Sequence, residues 1–239
     1  MKPTPQPAPK HDDDALLALL WMASPTLPIG GFSYSEGLEA AVDAGLVHDE
    51  NSAAEWLCDQ LWLTQARSDL VVLAQALRAW RASDFERLQE LDHWVRLTRE
   101  SAELRLQSEQ MGRSLMEWVK SLRLPPRPPE GLPQALEFPT YPVAFAYGLW
   151  LHLPPTAPVR VGVLCAAFAW AENMVQAAIR AIPLGQGAGQ RVLAKVRLSI
   201  PQAVTEALDT SDAQRQAFSP MWAILSARHE IQYSRLFRS

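Results

Sequence analysis

The sequence predicts an all-α protein, a bundle of roughly 8–10 helices around an apolar central helix. Apolar residues recur at steps of three and four along most of the chain, the spacing that places them on one face of a helix. No stretch shows the alternation of apolar and polar residues that is typical of a half-buried strand. Residues 159–182 are apolar on nearly every side, which indicates that this helix lies at the centre of the bundle.

The first three helices are predicted from apolar spacing and from the residues that end it. Leucines supply the apolar surface of a helix at 13–23, and a second helix at 34–44 is followed by Gly45, a residue typical of helix C-termini. Asn51 or Ser52 is expected to cap a long third helix. Its apolar positions continue to residue 80, with a candidate break near Arg67-Ser68.

The remaining helices are predicted from a serine or aspartate cap, from apolar stripes and from proline. Ser83-Asp84 is expected to cap a helix that begins at Phe85. A narrow stripe of leucine, serine and methionine predicts one helix from Leu97 to Leu122. The last helices are predicted at 143–152, 159–182, 190–208 and 220–233. Polar residues on one side of the 159–182 helix predict a wet or partner-facing stripe there: Glu172, Asn173, Gln176 and Arg180.

Proline-rich segments define the predicted domain organisation. Residues 1–12 contain four prolines and are expected to be a disordered tail, without the apolar region of a signal peptide. Residues 13–239 are expected to form a single domain, interrupted by a proline-rich loop at 124–142. The last twelve residues, 228–239, are expected to form a docking tail.

Composition excludes several classes of function. The chain has 239 residues and a formal charge of −4, so a basic surface for nucleic acid is not predicted. Its two cysteines, Cys58 and Cys165, lie in apolar runs, as buried thiols of a reducing compartment such as the cytoplasm do. The longest apolar run, residues 161–171, is well short of the roughly 20 residues that span a bilayer, so no membrane contact is predicted.

The segment from Ser24 to Glu39 is the most unusual connection in the chain. It contains two prolines, the pair Gly30-Gly31 and the aromatic residues Phe32 and Tyr34, which together specify a rigid, non-repeating backbone path. Ser33 or Ser35 is expected to cap the helix that follows. The residue types are consistent both with a tight corner between helices and with a recognition surface that carries Glu36 and Glu39.

The C-terminal twelve residues carry three arginines and one glutamate, interleaved with apolar side chains. Aromatic residues and arginine are the usual anchors of protein interfaces. A frayed helix end is the alternative, but a docking segment that orders on binding is the interpretation we favour. Its candidate contact residues are Arg228, Tyr233, Arg235, Leu236, Phe237 and Arg238.

Three segments in chain order resemble the urease accessory protein UreF family. They are Ser24–Glu39 (SPTLPIGGFSYSEGLE), Ile182–Arg191 (IPLGQGAGQR) and Ser226–Ser239 (SARHEIQYSRLFRS). The resemblance implies an all-α, cytosolic accessory protein, often dimeric and without catalytic activity or a cofactor of its own. It also implies the following partners: a UreD/UreH-type protein, the nickel-carrying GTPase UreG and the urease apoprotein, which the family brings together during nickel insertion.

The resemblance also implies a set of partner-binding residues. Glu39 and Arg180 are expected to belong to the surface that communicates with the GTPase. The full set is Gly30, Gly31, Phe32, Ser33, Tyr34, Ser35, Glu39, Arg180, Gln186, Gln190, Arg228, Tyr233, Arg235, Leu236, Phe237 and Arg238. The loop at 124–142 and the N-terminal tail match no part of the family pattern, so the resemblance assigns them no role.

Two other functions stay open from the residues alone. One is a helical hydrolase that uses Ser33 or Ser35, and the other is a nickel-binding metallochaperone that uses His11 or His229. The five histidines are scattered and include no pair at helical spacing of the kind that binds zinc. The glycines of 185–189 follow a helix and lack the lysine of a phosphate-binding loop, so no nucleotide site is predicted.

Overall fold

The structure, a computed structural model, describes residues 10–122 and 133–239. Helices account for most of this part of the chain, and no strand occurs in it, so the all-α prediction is confirmed. In chain order the α-helices are α1 (Lys10–Met22), α2 (Leu38–Asp43), α3 (Glu50–Gln60), α4 (Leu70–Ala82), α5 (Phe85–Thr98), α6 (Ala102–Ser121), α7 (Tyr141–His152), α8 (Val159–Ala181), α9 (Gln186–Asp209) and α10 (Pro220–Glu230).

The apolar helix α8 lies at the centre, as predicted. It packs against α9 and α4 and also contacts α1, α2, α3 and α7. In the described residues α8 alone is long and apolar enough to cross a membrane by length and composition, and 56% of its most apolar window is buried inside the bundle. The helix is therefore accounted for as the core helix of the fold.

A π-helical segment, Leu61–Asp69, joins α3 to α4 without a break. The sequence places a break near Arg67-Ser68, but the structure widens the helical turns instead. Such widening rotates the following side chains relative to an α-helix. The segment directs Gln65 and Asp69 towards the interior of the bundle, where Arg99 binds the Asp69 carboxylate at 2.7 Å.

The predicted single helix from Leu97 to Leu122 is wrong. α5 ends at Thr98, and α6 begins at Ala102 with Ser101 as its N-cap, whose hydroxyl accepts from the Leu104 N–H at 3.1 Å. Serine is favoured at the N-cap of a helix and disfavoured in its interior. The spacing of the apolar stripe therefore continues across Ser101, although the helix is interrupted there. Leu97 lies in the last turn of α5 and is 70% exposed.

Helix α9 begins at Gln186, four residues before its predicted start, and continues through Pro201. Glycine is required at Gly189 because a Cβ there would lie 2.3 Å from the Cδ1 of Ile179 on α8. Gly189, one of the glycines that predict a loop, therefore permits close packing of α9 on α8.

Further boundaries differ from the predictions. α2 begins at Leu38, four residues after its predicted start, and its N-cap is Gly37 rather than Ser33 or Ser35, although the Ser35 hydroxyl accepts from the Glu39 N–H at 3.3 Å. α10 ends at Glu230 rather than at residue 233.

α1 begins at Lys10, inside the predicted tail, of which residues 1–9 lie outside the described part of the chain. The first part of the proline-rich loop, residues 124–132, also lies outside it. α7 begins at Tyr141, because Pro142 fits the first turn of a helix, where its missing N–H has no partner to lose. Finally, Asp49 rather than Asn51 or Ser52 caps α3.

Candidate functional site

The corner between α1 and α2 rests on the polar stripe of α8. Its backbone turns at Gly30 and Gly37, which have φ angles of 72° and 79°, values that favour glycine. Between them, Gly31–Ser33 forms a 3₁₀ turn. The side-chain amide of Asn173 on α8 donates to the main-chain oxygen of Gly31 at 3.1 Å. The predicted polar stripe thus holds the corner in place.

The end of the chain closes on this corner. The Arg238 N–H donates to the main-chain oxygen of Ser33 at 2.8 Å. Both the N–H and the hydroxyl of Ser35 donate to the main-chain oxygen of Ser239, at 2.7 and 2.6 Å. Residues 33–35 and 238–239 are therefore paired through their backbones.

A buried carboxylate, Glu39 of α2, holds the preceding part of the tail. It accepts from the main-chain N–H groups of Leu236 and Phe237, at 2.7 and 3.0 Å. One of the same oxygens lies 3.0 Å from Nε2 of His229, whose other ring nitrogen lies 2.6 Å from a carboxylate oxygen of Glu103. His229 is completely buried. Helix α10 and the tail thus meet at one carboxylate of α2.

Arg180, at the C-terminal end of α8, covers the tail from the other side. Its guanidinium carbon lies 4.6 Å from the centre of the Phe237 ring, and its guanidinium donates to the main-chain oxygen of Phe32. Burial lowers the pKa of Arg180 from its ordinary value, although a guanidinium keeps its charge in proteins. Phe237 itself is only 4% exposed.

The comparisons with known proteins place the chain in a family. The UreF family model matches residues 47–197. A urease accessory protein UreF from Paracidovorax citrulli is 54% identical over 256 aligned residues, which cover 100% of each chain. Another, from Methylibium petroleiphilum, is 55% identical over 98% of each chain.

The chain belongs to the UreF family.

UreF proteins are urease accessory proteins rather than enzymes, and the resemblance carried by the three sequence segments is confirmed. A relative named bifunctional urease accessory protein UreEF, from Bordetella bronchiseptica, is 42% identical over 97% of this chain. This chain spans 53% of that relative's length.

The prediction that the C-terminal tail orders only on binding is wrong. In the structure the tail is already ordered against the corner of the same chain. The tail backbone is hydrogen-bonded to Ser33, Ser35 and Glu39. These bonds satisfy polar groups that would otherwise have to bind water, and they explain why the tail is ordered. The side chain of Phe237 is buried within the chain and is not available as an anchor for a partner.

The predicted site residues divide into buried and exposed groups. Gly31, Tyr34, Ser35, Glu39 and Phe237 are buried, and the Tyr34 hydroxyl donates to Gln110 at 2.6 Å. These residues support the site from inside. Gly30 and Ser33 are half-buried. The exposed members are Phe32, Arg180, Gln186, Gln190, Arg228, Tyr233, Arg235, Leu236 and Arg238.

Glu36 is a functional candidate whose environment the sequence does not indicate. It has a φ of 52°, unusual for a residue other than glycine, and its carboxylate accepts from Gln107 at 2.8 Å and from the Trp170 indole at 2.9 Å. It lines a partly open pocket with a volume of about 50 Å³, together with Asp69 and Tyr141. Burial raises the pKa of Glu36. The environment of Glu36 is not identified from the sequence, because neither its left-handed backbone nor the π-helical segment can be predicted from residue types.

The residues proposed for the two other functions have different surroundings. The Ser35 hydroxyl donates to the main chain of Ser239 and not to a histidine. Both ring nitrogens of His229 face carboxylates, and the side chain of His11 lies outside the described part of the structure. Among the described residues no group of three or more His, Cys, Asp or Glu is arranged to hold a metal ion.

Proposed function

We propose that this urease accessory protein bridges a UreD/UreH-type protein and the GTPase UreG during nickel insertion into urease, and that it regulates the GTPase. The observation that carries the proposal is the docked tail: its backbone is fixed on the corner while Tyr233 and Leu236 are exposed. A fixed backbone with exposed apolar side chains is the arrangement expected of a preorganised binding surface.

The tail and the corner would form the surface for the UreD/UreH-type protein. Phe32 is 65% exposed and lies next to Ser33, which binds the tail at Arg238. Burying an apolar side chain of this size contributes roughly 1.5–3 kcal/mol. Because the tail is ordered before binding, less of that free energy is spent on ordering it. The exposed guanidinium groups of Arg235 and Arg238 would orient the partner through its acidic groups.

A second surface would communicate with the GTPase. Arg180 lies in the last turn of α8, and Gln186 and Gln190 are exposed in the first turns of α9, which follows it. Glu39 is buried, so its part in this communication would be indirect, through the tail that it holds. Arg180 also contacts the tail, so a conformational change at either surface would be transmitted directly to the other.

The proposal includes the setting of the reaction. The protein would act in the cytoplasm as a homodimer, without nucleic acid or membrane, and nickel would be cargo of the assembled complex rather than a cofactor of this chain. The fusion named UreEF shows that a UreF relative is joined to a second accessory function within one chain, which supports action inside an assembly.

The test is urease activation in cells that lack their own copy of this protein. Wild type should restore activity and co-purify with the UreD/UreH-type protein and the GTPase. The double variant Tyr233→Ala/Leu236→Ala should lose the UreD/UreH-type protein, and Arg180→Ala should impair GTPase coupling. Full activation by wild type without co-purification of either partner would contradict the bridging role.

A further inference from the structure

His229 lies between two carboxylates that come from different helices. Its Nε2 is 3.0 Å from Glu39 on α2, and its Nδ1 is 2.6 Å from Glu103 on α6. The side chain has no solvent exposure, and the two glutamate side chains are 9% and 14% exposed. The tail is bound to the same two carboxylates: Leu236 and Phe237 donate to Glu39, and Arg235 donates to Glu103.

Whether both carboxylates of this cluster receive a hydrogen bond from His229 depends on the second proton of its ring. Ionised carboxylates only accept hydrogen bonds, so each of the two contacts requires an N–H from the ring. The protonated imidazole has two N–H groups and satisfies both carboxylates, whereas the neutral ring has one and leaves the other carboxylate facing a lone pair. A buried carboxylate that loses its donor is costly.

The charges that face His229 are closer to balance in the protonated state than in the neutral state. Glu39 and Glu103 contribute two negative charges, and Arg235 of the tail contributes one positive charge. The remaining charged neighbour is Glu230 of α10, whose carboxylate accepts from the main-chain N–H of Glu103. The hydroxyls of Ser101 and Ser226, which bond to each other nearby, are neutral.

We propose that His229 is a proton-controlled clamp: the protonated ring holds the tail against the corner, and loss of its proton releases the tail. Release would remove the exposed side chains of Tyr233 and Leu236 from their fixed positions. The affinity of the corner and tail surface for its partner would therefore be lower when the His229 ring is neutral than when it is protonated. This inference extends the proposed docking role, but its test uses the isolated chain and does not depend on that role.

The experiment is nuclear magnetic resonance of the full-length protein labelled with ¹⁵N, recorded at stepwise pH. The ring nitrogens of His229 report its protonation, and the amide exchange of Leu236 and Phe237, divided by the intrinsic rate at each pH, reports tail docking. We expect a doubly protonated ring while the tail is docked. Protection should fall roughly tenfold or more as the ring becomes neutral, the factor that one charge-assisted hydrogen bond represents.

Two variants make the result specific. In Glu103→Gln the side-chain amide can donate to the neutral ring, so the tail should stay protected across the same pH range. In His48→Gln, which changes an exposed histidine, the pH dependence should match that of wild type. A neutral His229 ring in wild type with an undiminished protection of the tail would overturn the proposal. So would an equal loss of protection in wild type and Glu103→Gln, or a tail that is unprotected at every pH.

Discussion

The guanidinium carbon of Arg180 lies 4.6 Å from the centre of the Phe237 ring, so the central helix of the bundle is joined directly to the end of the chain. The same guanidinium donates to the main-chain oxygen of Phe32 in the corner. One side chain therefore connects three segments that are far apart in sequence. Two of these segments, the corner and the tail, carry the family resemblance, and this side chain contacts both.

Replacing Arg180 by alanine should loosen the tail more than it destabilises the bundle. An exposed cation–π contact contributes about 0.5–1 kcal/mol, so the free energy of unfolding should fall by about that amount. Amide exchange in residues 236–238 should accelerate clearly more than exchange in α8. Arg180→Lys keeps the charge but loses the planar fork and should give an intermediate effect. Unchanged exchange in the tail of Arg180→Ala would show that the contact does not hold it.

The buried and exposed aromatic residues of the tail should behave in opposite ways. Phe237→Ala should reduce the free energy of unfolding by about 3 kcal/mol, because the ring is buried against the core. Tyr233→Ala should change it by less than about 0.5 kcal/mol, because the side chain is fully exposed. Urea denaturation of the two variants measures both values. Similar stability of the two proteins would contradict the docked tail.

Gly112→Ala should be strongly destabilising. A Cβ at Gly112 would lie 2.1 Å from the main-chain oxygen of Pro139, so α6 and the segment before α7 would have to separate. Overpacking of this kind costs typically 1–3 kcal/mol or more. Gly185→Ala is the matched control, because no atom lies within 4 Å of its added Cβ and its φ is −76°. Thermal denaturation should separate the two variants by several degrees, and equal melting temperatures would refute the close approach.

The buried carboxyl of Glu36 should make stability depend on pH. Desolvation raises its pKa in the folded state, opposed in part by the hydrogen bond from Trp170. A raised folded-state pKa gives a contribution that is fully present below the ordinary glutamate range and is lost as the pH rises through the raised value. The free energy of unfolding of Glu36→Gln minus that of wild type should therefore grow as the pH rises above the ordinary glutamate range. A difference that is constant over this range would contradict the assignment.

The sequence predicts those features that depend on neighbouring residues. The all-α class, the central position of α8 and the cap at Asp84 follow from spacing and residue type, because a helix is built from local contacts. The pairing of Glu39 with His229 joins residues 190 positions apart, and no local pattern encodes it. The left-handed Glu36 and the π-helical segment were missed because their backbone is imposed by tertiary packing. For the same reason, the sequence identifies the tail as a surface without showing that it is folded on its own corner.

The most direct test of the account is the affinity of the full-length protein for the UreD/UreH-type partner, measured by isothermal titration calorimetry. The double variant Tyr233→Ala/Leu236→Ala should bind at least roughly a hundredfold more weakly, since each anchor contributes about 1.5–3 kcal/mol and 1.4 kcal/mol is a factor of ten. Leu198→Ala is the control: Leu198 is 73% exposed, but it lies on α9, away from the corner and tail, and its variant should bind like wild type. Undiminished binding of the double variant, or an equal loss in Leu198→Ala, would contradict a docking surface formed by the corner and the tail.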